Sequence, residues 1–117
     1  MNEKITIKIY EVVGSSLCVS ADDGQLVYDQ IAAAVRNGRS VELSFLNVNS
    51  LTSAFLNPAI GQLYSEFSDE LIRKHLSVTD MENDDLALLR RVIETAKRYF
   101  KDPNRVNVAR QEILGAS

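Results

Sequence analysis

Residues 4–10, KITIKIY, alternate Ile5, Ile7 and Ile9 against Thr6, Lys8 and Tyr10. A period of two predicts a strand with one buried face. Gly14-Ser15-Ser16 reads as a turn, and LCVS at 17–20 as a returning strand paired with residues 5–10. The next stretch changes period. Val27, Tyr28, Ile31 and Val35 share one helical face between Ser20 or Asp22 as a cap and Gly38 as a stop. Asp22 and Asp23 sit at the end where the helix dipole favours anions, and Arg36 where it favours cations. A helix over 22–37 follows. SVELSFL at 40–46 alternates again, with Val41, Leu43 and Phe45 on one side.

Phe55, Leu56, Ile60, Leu63, Tyr64 and Phe67 recur at helical spacings. Pro58 lacks an N–H and is best tolerated in a first turn, so the helix is expected over 54–67 with Thr52 or Ser53 as its cap. HLSVTDM at 75–81 reads as a strand, with the single histidine, His75, as a surface or hydrogen-bonded residue at its start. Leu86, Leu89, Ile93, Ala96 and Phe100 form the stripe of a helix over 84–101, opened by acids and closed by bases. Pro103 stops it. The order β-β-α-β-α-β-α implies a mixed, partly parallel sheet of about four strands covered by helices, an α/β domain over 1–102. Residues 103–117 read as a C-terminal helix or tail.

Composition narrows the classes. A chain of 117 residues, 45% apolar and 25% charged, has the size and balance of one soluble globular domain. No apolar run approaches the roughly 18 residues of a membrane span, and the alternating N-terminus is unlike a targeting segment. Cys18 is the single cysteine and has no disulfide partner within the chain, which fits a small buried hydrophobe and a cytoplasmic location. The net charge of −3 hides an asymmetry: residues 1–89 carry −7 and residues 90–117 carry +4. An acidic body argues against a broad nucleic-acid face. Arg90, Arg91, Lys97 and Arg98 on the last helix remain candidate contacts for an anionic partner, and they carry the alternative reading of a nucleic-acid-associated protein.

Other constellations are weaker. Asp80, Glu82, Asp84 and Asp85 lack the central glycine and terminal glutamate of a calcium loop, and fit acids at a helix start instead. No metal site, cofactor motif or catalytic set converges, so a non-enzymatic role is expected. Gly61 inside an expected helix costs about 1 kcal/mol against alanine, which calls for a close approach of the helix to the sheet or to a partner.

The stretch NVNSLTSAFLNPAIG, residues 47–61, places Ser50, Thr52 and Ser53 between a strand and a helix. VELSFLNVNSL running into TSAFL resembles the STAS domain, named for sulfate transporters and anti-anti-sigma factors. TSAFLNPAIGQLY resembles in particular the STAS-like family of unknown function, DUF4325. The resemblance covers roughly residues 4–100. It implies a regulatory protein-interaction module, working by partner switching through the loop around 49–57. A histidine-kinase-like ATPase is the implied partner, and a serine in the loop is the implied phospho-acceptor. By position, Thr52 falls where that family's aspartate stands, Ser53 at the phosphorylated serine, and Phe55 at the glycine. Ser53, Thr52, Ser50 and Asn57 are thus the candidate phospho-acceptor or partner-binding residues. A phosphate at the helix start would meet free N–H groups. The plainer role of the same hydroxyls is helix capping, worth about 1 kcal/mol.

Overall fold

The computed structural model describes residues 4–101. The expected tail at 103–117 lies outside them. The elements are β1 (Lys4–Lys8), α1 (Ile9–Val13), β2 (Leu17–Cys18), α2 (Ala21–Arg36), β3 (Ser40–Ser44), β4 (Ser50–Leu51) and α3 (Ser53–Leu56), then a π turn (Asn57–Gly61), α4 (Leu63–Glu66), α5 (Asp69–His75), β5 (Leu76–Thr79) and α6 (Asn83–Lys101).

The strands form two sheets rather than one of about four strands. The larger has the order β1-β3-β5, and the smaller pairs β2 with β4. Every pairing is parallel. In the larger sheet Ile5, Val41 and Leu76 make one cross-strand row and Ile7, Leu43 and Val78 the next. These rows belong to the core, which also takes Val27, Ile31, Val35, Phe55, Leu56, Ile60, Leu63, Leu89 and Val92 from the helices. The opposite rows hold Thr6, Glu42 and Ser77, then Lys8, Ser44 and Thr79. Helices are thus needed on one face only, as the alternation of each strand requires.

The expected pairing of residues 5–10 with 17–20 does not form. β1 lies at one edge of the larger sheet, as expected, but its neighbour is β3. It ends at Lys8 because Ile9, Val12 and Val13 also fit a helical spacing of three and four. Ile9 is fully buried, Val12 and Val13 pack against the core, and Gly14 closes α1 with φ 77° and its N–H on the Tyr10 carbonyl. A short helix therefore stands where a hairpin was expected.

The helix expected over 54–67 is a helical run interrupted by the π turn. The Gln62 amide donates to the Asn57 carbonyl five residues back, at 2.8 Å. Pro58, second in that turn, has no N–H to offer the preceding turn, and its ring crowds that turn's carbonyl. Widening the helix by one residue accommodates both.

The seven-residue α5 precedes β5 where the sequence reading placed no element. Ser68 caps it by accepting from the Leu71 amide at 3.1 Å, and it buries only Ile72 and His75. His75 therefore ends a helix instead of starting a strand. It is buried, with Nδ1 3.4 Å from Ser40 Oγ.

α2 follows expectation closely. Ser20 caps it by accepting from the Asp23 amide at 3.2 Å, and Val27, Tyr28, Ile31 and Val35 are all buried. α6 buries Leu89 and Ala96 as expected. Val92, beside that stripe, is buried with them, while Leu86, Ile93 and Phe100 are half-buried.

Candidate functional site

The hydroxyl stretch is tied to the body by backbone bonds. After β3 the chain turns through Asn47 at φ 67°, a left-handed conformation that asparagine tolerates. The Asn49 and Ser50 amides both reach the Ser16 carbonyl, at 2.8 and 3.2 Å. β4 then runs beside β2, with Ser50 opposite Leu17 and Leu51 opposite Cys18. The Thr52 amide completes the ladder on the Cys18 carbonyl at 3.2 Å.

Thr52 is the cap. Its Oγ1 accepts from the Phe55 amide at 3.3 Å and donates to the Val19 carbonyl at 3.0 Å. The hydroxyl thus holds the start of α3 to the strand that leads into α2. Ser53, the first residue of α3, is exposed, and its Oγ has no hydrogen-bond partner among the described residues. Ser50 is exposed on β4, and Asn57 is exposed at the start of the π turn. Alternation along β2 buries Cys18 completely and leaves Leu17 52% and Val19 42% exposed. Unpaired hydroxyls and uncovered aliphatic side chains therefore share one end of the domain. Burial, with a smaller contribution from the Asp23 charge, pushes the Cys18 thiol up to about 11, so it is a neutral packing residue at physiological pH.

The basic candidates are placed elsewhere. α6 turns Leu89, Val92 and Ala96 inward, and Arg90, Arg91 and Arg98 are exposed away from that stripe. Lys97 is half-buried, with Nζ 3.2 Å from Asp69 Oδ1, while Arg73 holds the other oxygen of that carboxylate at 3.0 Å. The fold does not join this basic set to the hydroxyl stretch. Of the four acids near residue 82, Asp84 and Asp85 fall in the first turn of α6. Asp80, at φ 61°, accepts from the buried Ser44 hydroxyl at 3.0 Å. Among the described residues no group of three or more metal-ligating side chains converges. Likewise none of their helices is long and apolar enough to cross a membrane.

Two features escaped the sequence reading. Gly24, in the first turns of α2, packs directly on the Phe55 carbonyl, and a Cβ there would also lie 2.8 Å from Pro58 Cγ. A glycine inside an otherwise regular helix was the available signal. At Gly61, which the sequence did single out, an added Cβ would meet Val92 and Ala96 of α6 at ordinary contact distance. The second feature is Glu66. It receives Arg36 through Nε and Nη2 and the Tyr28 hydroxyl at 2.8 Å. This fork fastens α4 to α2. The Arg36 guanidinium, then the Tyr28 hydroxyl, hold the Glu66 carboxyl down at about 2.

Residues 23–86, from the start of α2 to the start of α6, match the model of the STAS-like domain of unknown function (DUF4325). The chain belongs to this STAS-like family. Neither the curated proteins nor the solved structures contain a match to it. The matched span of the STAS-like domain includes Thr52, Ser53 and Glu66, and it excludes β1 and most of α6.

Proposed function

We propose that this STAS-like domain is a cytoplasmic regulatory module that docks a protein partner through the β2–β4 ladder and the loop around residues 49–57. Ser53 is the residue at which a modification alters docking. The observation that carries the reading is the exposure of Leu17 and Val19 beside an exposed, unbonded Ser53. Aliphatic anchors with a polar rim are what a protein interface uses. Thr52 is already committed to capping α3 and binding Val19, which leaves Ser53 as the accessible hydroxyl of the pair. A phosphate there adds about −2 of charge without disturbing a cap. The family likeness suggests a histidine-kinase-like ATPase as the partner class. The commitment of Lys97 to Asp69 weakens the alternative of a nucleic-acid surface on α6.

The test is calorimetric titration against any histidine-kinase-like ATPase found encoded beside this chain, whose failure to bind the unaltered domain would itself discard that partner class. Ser53→Asp is expected to change Kd at least about tenfold, roughly 1.4 kcal/mol, with an unchanged denaturation midpoint. Val19→Asp is expected to abolish binding. Unaltered binding in both variants would discard this docking face. A gel shift of duplex DNA lost in Arg90→Glu with Arg91→Glu would favour the alternative.

A further inference from the structure

An apolar groove of about 350 Å³ runs between the π turn and the end of α6, walled by Pro58 and Gly61 on one side and by Ala96, Tyr99 and Phe100 on the other. Tyr99 and Phe100 meet edge to face with ring centroids 4.9 Å apart, and both stay half-exposed. The polar lining consists of the uncharged side chains of Asn57, Gln62 and Thr95.

We propose that the C-terminal segment of the same chain, residues 103–117, covers this groove, with Val106, Val108, Ile113 and Leu114 as its contacts. α6 is described as far as Lys101, next in the chain to Phe100 of the groove wall, so residue 103 follows that wall by three positions. From Lys101 to Val106 an extended chain reaches roughly 17 Å. The α6 wall from Thr95 to Phe100 is only about 8 Å long. Every point of the groove is therefore within reach of the aliphatic residues. Charge does not oppose the contact, because the segment carries only Arg105, Arg110 and Glu112. The tether also gives the segment an effective concentration of roughly millimolar order, which a separate weak partner would not match. The proposal does not rest on the docking face.

The test uses the full chain with a nitroxide label at Ser117→Cys. Cys18 is fully buried and its thiol is pushed up to about 11, so the label goes to residue 117. Expected is line broadening at the amides of Gly61, Gln62 and Ala96, independent of protein concentration and lost in Ile113→Asp with Leu114→Asp. Broadening that is absent, spread evenly, or unchanged in the double variant would overturn the proposal. Broadening that grows with concentration would assign the groove to a second copy and overturn it too.

Discussion

Gly24 and Phe55 pack backbone to backbone: a Cβ on residue 24 would overlap the Phe55 carbonyl oxygen. Since backbone cannot swing aside as a long side chain does, Gly24→Ala is expected to destabilise the domain by about 2 kcal/mol, despite the helix propensity gained. The Cβ of Gly61→Ala meets Val92, Ala96 and Asn57 Oδ1 at 3.5, 3.6 and 3.9 Å, all ordinary contacts. The substitution is expected to be neutral or stabilising by up to about 1 kcal/mol. Urea midpoints of the two variants check the contrast.

Thr52 and Ser53 differ in structural weight. Thr52→Ala removes the cap of α3 and the bond to Val19, an expected loss of about 1–2 kcal/mol. Ser53→Ala removes an exposed hydroxyl without a described partner and is expected to stay within about 0.5 kcal/mol of wild type. Thermal denaturation of the pair separates a capping role from an interaction role.

Acid should loosen the fork at Glu66. Its carboxyl is held at about 2 in the folded chain, below its ordinary value near 4.5. A depressed carboxylate contributes stability that is fully present above the unfolded pKa and is lost as pH falls toward the folded one. Stability is therefore expected to decline between pH 4.5 and 2, with a smaller slope in Glu66→Gln than in wild type. Denaturant titrations across that window measure it.

Cys18 is expected to resist alkylation at pH 8, since burial keeps the thiol neutral until about 11. Addition of urea should expose it and restore the rate of an ordinary cysteine. Stopped reactions read by mass spectrometry give both rates.

The sequence displayed some elements and hid others for identifiable reasons. α2 was legible because Ser20, Asp22, Asp23 and Arg36 punctuate a single apolar face. β3 and β5 showed their alternation. α1 was hidden because Ile9 satisfies a strand period and a helix period at once. β2 was read as a strand over 17–20 but with the wrong partner, and β4, at two residues, is too short to show a period. The π turn preserves the helical spacing of Ile60 and Leu63 and so leaves no separate trace. At the candidate site, a hydroxyl cap at Thr52 or Ser53 was readable from hydroxyls before an apolar run, and the structure assigns it to Thr52. The commitment of Lys97 was not, because its partner lies on α5, a short helix with few buried positions. Glu66 and Arg36 lie 30 residues apart, beyond any local pattern.

The ladder between β2 and β4 has a consequence for motion. Thr52 bonds the carbonyls of Cys18 and Val19, and Ser20 caps α2 immediately beyond. The starts of α2 and α3 therefore hang from one short hinge plate. A displacement at Ser53 is expected to reach α2 through these bonds. In hydrogen exchange, the amides of Thr52, Asp23 and Phe55 should open together, as one cooperative unit with one free energy of opening.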